Sequence, residues 1–193
     1  MTELIAMQAV PPIPNWTELH PLVIHFPIAW LLVAPFFIIA GIVMNPSKGR
    51  PFLVAALSLM VLGTVGTVVA VLTGEAAAEV AHRTAAMSAV LERHQELAET
   101  TRDIFGLLSA IFASILFVPR FLRRETTTAA ARILPLGFLL FYAAGTVVLV
   151  NTAHNGGRLV HEFGVHAVIA PTNEASNSAN PGAASPEQAE SDR

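Results

Sequence analysis

The chain of 193 residues has no cysteine, which excludes disulfides, thiolate metal sites, iron–sulfur clusters, a catalytic thiol and haem attached through CxxCH. Charge is also scarce, with 13% Asp, Glu, Lys and Arg against 53% hydrophobic residues. That is too little polar surface to coat a soluble globule of this size, so a membrane protein is the default reading. The net charge of −3 comes from a few clustered groups and not from a basic surface, so nucleic acid as a partner has no electrostatic footprint. No Ser, His and Asp set and no nucleophile elbow can be located, which disfavours hydrolase chemistry. With thiols missing, the seven histidines are the most chemically capable residues left.

Leu22–Val43, Phe52–Leu72, Ile104–Val118 and Ile133–Ala153 contain no Asp, Glu, Lys or Arg. All but the third reach or nearly reach the roughly 20 residues that cross a hydrocarbon core. The third is short alone, but its helical pattern can be followed back to about Ser88, which predicts a helix projecting beyond the bilayer. Pro51 and Pro135 suit the first turns of the second and fourth spans. Met1–His20 holds no Lys or Arg and the first span is too long for a signal-peptide core, so that span is expected to stay in the mature protein. The sequence thus predicts an all-α integral membrane protein, an antiparallel four-helix bundle over 19–170, with an outer segment at 1–18. A disordered outer tail at 171–193 follows from its Asn, Ser, Ala, Pro and Glu content.

Lys48 and Arg50 follow the first span, and Arg120, Arg123, Arg124 and Arg132 follow the third. By the positive-inside rule these two tight links face the cytoplasm and both termini face outward, to the periplasm if the chain lies in a bacterial inner membrane. Under that topology His20, His25, His82, His94, His154, His161 and His166 all fall at or beyond one membrane surface. Interfacial histidines serving only as hydrogen-bonding groups would give the same distribution, but an unpaired ring at the end of an apolar span is costly.

Helical spacing sorts these residues further. Glu92, Glu96, Glu99 and Asp103 form one acidic stripe, while His94, Ala98, Thr101, Phe105 and Leu108 form another that continues into the membrane and points at the other helices. Glu75, Glu79 and His82 share one side of an extension of the second span. His20 and His25 are five apart, about 140° around a helix, so they do not both serve one centre. The expected division turns His25 into the bundle and leaves His20 at its mouth. Gly156-Gly157 is expected to stop the fourth helix, with the run to His166 folded back over the mouth. Gly63, Gly66, Gly137 and Gly145 notch the second and fourth spans, either for close helix packing or to make room for a flat macrocycle.

The string His20-Pro21-Leu22-Val23-Ile24-His25-Phe26-Pro27-Ile28-Ala29 resembles a bacterial membrane family known as domain of unknown function 2231. So do the pair Thr73-Gly74 and the run Gly156-Gly157-Arg158-Leu159-Val160 with Gly164-Val165. The resemblance covers roughly Leu19 to Val168 and implies a four-helix inner-membrane protein. Relatives joined to or near c-type cytochrome domains imply redox work, though the family carries no established reaction. Its last motif usually reads GGxLVYxHGVGV; this chain has His161 at the tyrosine, Phe163 at the histidine and His166 at a glycine.

Two imidazoles from different helices can hold a haem iron axially while apolar side chains bury the porphyrin. His25 and His94 are the expected axial pair, with His154 as substitute for either, and His20 and His161 hold or orient a second group nearer the surface. The expected function is b-type haem binding and electron transfer with quinol or a periplasmic cytochrome c, as a carrier or redox-complex subunit and not a stand-alone enzyme. The alternatives are a copper, zinc or iron ion on His20, His25, His94 and Glu75 or Glu79, and a structural membrane subunit without cofactor.

Overall fold

The computed structural model describes residues 15–81, 84–124 and 127–165. His82, His166, the tail at 171–193 and all but the last few residues of the 1–18 segment lie outside them. After a 3-10 turn at Trp16–Glu18, helix α1 (His20–Val23) passes through a break at Ile24 into α2 (His25–Val43). Pro27 causes the break, because it has no N–H to offer the carbonyl of Val23. Three long helices follow, α3 (Pro46–Val80), α4 (Ala85–Phe121) and α5 (Thr128–His161). Thr84 and Thr127 begin α4 and α5 by accepting hydrogen bonds from the Met87 and Ala130 amides, at 3.3 and 3.2 Å, as N-cap hydroxyls do.

His20–Val43, α3, α4 and α5 are each long and apolar enough to cross a membrane, and the chain is a multi-pass membrane protein. Helices adjacent in sequence pack antiparallel, and α2 also packs on α5, which closes the bundle into a ring. At 35, 37 and 34 residues, α3 to α5 are about 50–55 Å long, well over the ~30 Å of a hydrocarbon core. The surplus rises at the end where the described chain begins and finishes. There Ala78, Met87, Val90, Leu91 and Leu159 make a small second core, joined by Phe163 and Val165. This is the histidine end; the other, where the Met44-Asn45 and Leu122–Thr127 links lie, is the turn end.

Two expectations about punctuation need correction. Pro51 and Pro135 lie inside α3 and α5 and not in their first turns; Pro46 takes that position in α3. The carbonyl that Pro51 leaves without a ladder partner belongs to Ser47, which is exposed and near a helix start, so the helix tolerates it. Gly156 and Gly157 do not stop the last helix, which runs on to His161. The turn comes at Gly164, whose φ of 64° is open to glycine without strain. Gly164 and Val165 donate to the Val160 and Leu159 carbonyls, which folds Phe163 and Val165 back onto the small core.

The inward stripes repeat every seven residues. They run through Pro27, Ala34 and Gly41 in α2, Leu53, Met60 and Thr67 in α3, Thr101 and Leu108 in α4, and Pro135, Tyr142 and Leu149 in α5, all buried. Seven residues further toward the histidine end, the stripes arrive at His20, Gly74, His94 and Gly156. Histidine and glycine alternate around the ring.

Candidate functional site

His20 opens α1 and its ring lies against α3. Its Nδ1 is 2.9 Å from the carbonyl oxygen of Ala70 and 3.2 Å from the Thr73 hydroxyl. His94 sits in the third turn of α4 and its ring lies against α5, with Nδ1 3.0 Å from the carbonyl oxygen of Thr152. A carbonyl only accepts, so in both rings Nδ1 carries the proton and donates it. The neutral ring then keeps the lone pair on Nε2, and neither Nε2 has a hydrogen-bond partner among the described residues.

The same device holds both rings. Each Nδ1 binds a carbonyl four residues before a glycine, Ala70 before Gly74 and Thr152 before Gly156. A Cβ on Gly74 would lie 2.9 Å from Cε1 of His20, and one on Gly156 would lie 3.0 Å from Cε1 of His94. The missing side chains are therefore what let the imidazoles rest on helix backbone. The α1–α3 hairpin supplies one ring complete with its anchor and seat, and the α4–α5 hairpin supplies the other. Between hairpins the rings approach with centroids 6.4 Å apart and planes at 80°.

Buried hydroxyls surround the pair. Thr101 and Thr152 meet across α4 and α5 at 2.8 Å, and Thr152 is also 3.1 Å from the Leu97 carbonyl. This clamps the two helices at the level where the Thr152 carbonyl holds His94. Deeper in the bundle Thr64 and Ser109 join α3 to α4 at 3.1 Å. Above the pair, the small core closes the bundle.

The expected pairing of His25 with His94 does not form. His25 is exposed, as are His154 and His161, and His20 takes the inward position assigned to His25. The cause is register: His20 stands seven residues before buried Pro27, so it shares the inward stripe, whereas His25 falls with exposed Leu32, Phe36 and Ile39. His94 does face inward, and Glu92, Glu96, Glu99 and Asp103 are exposed, as their helical spacing predicts. Glu75 and Glu79 are exposed too, and no group of three or more His, Asp or Glu placed to hold a metal ion occurs among the described residues. The mixed set of imidazoles and carboxylates is therefore not assembled. Of the flagged glycines, Gly63 lies against Leu31, Gly66 against Pro27 and Gly145 against Ile104 and Leu108, while nothing approaches Gly137. The first three serve helix packing, and the glycines that matter to the imidazoles are Gly74 and Gly156.

Near the last turn Arg158 pairs with Glu162 at 2.9 Å. The hydrogen bond from its guanidinium holds the Glu162 carboxyl below the ordinary carboxylate range. Both groups are solvated, and the pair belongs to the helix end and not to the imidazole site.

Residues 17–168 match the family described as Predicted membrane protein (DUF2231). No curated protein and no solved structure matches the chain.

Proposed function

The chain belongs to the DUF2231 family of predicted membrane proteins, and from the geometry of its imidazole pair we propose that it binds one b-type haem between His20 and His94 and passes electrons at that end of the bundle. The observation that carries this reading is the close approach of two rings from different hairpins, with centroids 6.4 Å apart. Two imidazoles that shared one ion through Nε2 would have centroids up to about 6.2 Å apart, taking about 2 Å per metal–nitrogen bond and about 1.1 Å from nitrogen to ring centre. The separation here is 6.4 Å. Histidine ligands characteristically donate their second ring N–H to a carbonyl or carboxylate, which fixes the tautomer and raises ligand basicity; both rings do so.

The number of donors separates haem from a bare ion. Structural zinc takes four protein ligands and catalytic zinc three, and no group of three or more His, Asp or Glu comes together among the described residues. A macrocycle brings nitrogen donors of its own, so His20 and His94 would be enough protein donors to hold it. The copper, zinc or iron alternative lacks a third protein ligand among the described residues.

When bound, the group would supply one-electron transfer. The protein's part is to hold the Nδ1 protons on the Ala70 and Thr152 carbonyls, to seat the rings on Gly74 and Gly156, and to cover them with the Leu91–Leu159 core. Toward the turn end the bundle is filled by Tyr142, Phe138 and Phe112, with Phe112 and Phe138 stacked at 4.8 Å. No second imidazole lies there among the described residues. Electrons are therefore exchanged on the histidine side, with quinol or a c-type cytochrome as partner. Lys48, Arg50, Arg120, Arg123 and Arg124 gather at the turn end, which under the positive-inside rule supports a cytoplasmic turn end and a histidine end that faces outward.

The test is the visible spectrum of detergent-purified protein expressed with added haem, recorded oxidised and after dithionite. A Soret band that shifts on reduction, with the sharp low-spin features of two axial nitrogens, is the expected result. A colourless preparation that also takes up no added haemin would overturn the reading.

A further inference from the structure

The two imidazoles share one anchoring device, but not one set of hydrogen bonds. Thr73 makes the difference. It is fully buried, and its hydroxyl lies 2.9 Å from the Val69 carbonyl, 3.1 Å from the Ala70 carbonyl and 3.2 Å from Nδ1 of His20. One hydroxyl proton can serve only one carbonyl. The Ala70 carbonyl has two lone pairs and already takes the ladder bond of its own helix and the His20 proton. A third donor would crowd it, so the Thr73 proton belongs with Val69. The Thr73 oxygen is then free to accept, and the His20 Nδ1–H is shared between the Ala70 carbonyl and the Thr73 hydroxyl.

A threonine also stands beside the other ring, with the opposite orientation. The Thr152 hydroxyl is engaged with Thr101 and with the Leu97 and Val148 carbonyls, so His94 donates to the Thr152 carbonyl alone. We propose that Thr73 is a positioning residue that makes His20 the more electron-rich of the two imidazoles, by providing the second acceptor for its Nδ1 proton that His94 does not have. An acceptor on Nδ1–H pushes electron density toward Nε2. The proposal rests on the haem reading for its redox consequence, but not for the inequality of the rings.

Two readouts on the full-length protein in detergent keep these apart. In protein labelled with 15N-histidine and without haem, the Nδ1 resonances of His20 and His94 differ in the wild type. Thr73→Val, which keeps the shape and removes the acceptor, brings the two together, and Thr73→Ser keeps them apart. In haem-loaded protein Thr73→Val raises the midpoint potential, favouring the reduced form by at least threefold, while Thr73→Ser stays near wild type. Should Thr73→Val not fold, Thr73→Ala removes the same hydroxyl and is read in the same way. An undiminished difference between the Nδ1 resonances in Thr73→Val or Thr73→Ala overturns the proposal, as does a Thr73→Ser shift as large as either. Failure of the wild type to take up haem defeats the haem reading alone, because the ring resonances still decide what Thr73 does.

Discussion

The two halves of this bundle are built from the same four apolar helices and are filled in opposite ways. From the Thr64–Ser109 pair toward the histidine end, the interior is dotted with the hydroxyls of Thr67, Thr73, Thr101 and Thr152, all buried, and two inward stripes lack a side chain at Gly74 and Gly156. Toward the turn end it is filled with large apolar groups, Phe112, Phe138, Leu57, Leu53 and Ile38. The Tyr142 hydroxyl, set among them at mid-bundle, donates at 2.7 Å to the carbonyl of Leu31. Between helices in a bilayer, association is driven by close packing and interhelical hydrogen bonds more than by expulsion of water. The turn end relies on the first and carries the cohesion of the bundle. The histidine end relies on the second, and it gives up side-chain volume to seat two rings.

If that division of labour is correct, removing either seated ring should change binding and little else. His20→Ala and His94→Ala are each expected to abolish the haem spectrum, while His25→Ala and His154→Ala leave it intact. Loss of the spectrum in His25→Ala, with its retention in His20→Ala, would break the assignment of the site. The converse variant lies at the other end. Phe112→Ala, stripped of its stack on Phe138, is expected to cost about 3–5 kcal/mol of stability, seen as earlier unfolding in detergent, with an unchanged spectrum for the fraction that remains folded. A smaller effect distinguishes two neighbours. Gly156→Ala places a Cβ on the His94 ring and should cost about 1–3 kcal/mol through overpacking, together with a measurable loss of haem affinity. Gly157→Ala meets no atom within 4 Å and should be neutral or slightly stabilising, because alanine suits a helix interior better. Equal penalties at 156 and 157 would show that the glycines are not seats.

Much of this arrangement was legible in the sequence. The absence of charge over four long stretches sets the number of membrane spans, and the separation of Glu92, Glu96, Glu99 and Asp103 from His94, Thr101 and Phe105 sets the orientation of α4. The pair alone does not decide between His20 and His25, because a five-residue step says only that one ring must face out. The buried run of Pro27, Leu31, Ala34 and Ile38 settles it, and hydropathy hides that run because the lipid-facing side of α2 is just as apolar. Gly156 misleads for a related reason: glycine ends helices in water, but inside a bundle it also marks where a neighbour comes close, here the His94 ring. No pattern in the sequence shows that the Ala70 and Thr152 carbonyls receive the imidazole protons, since backbone acceptors leave no residue-type signature.

The alternation of histidine and glycine around the ring means that each hairpin finishes its own half of the grip before meeting the other. Neither ring leans on the opposite hairpin for its anchor or its seat, so a group held between them acts as a latch across two self-sufficient pieces. Anything that binds both pieces together and not the separated ones stabilises the closed assembly by an amount that grows with the logarithm of its concentration over its dissociation constant. In such a molecule the occupant would be a structural member as well as a chemical one, and the melting temperature would report on loading as directly as the colour.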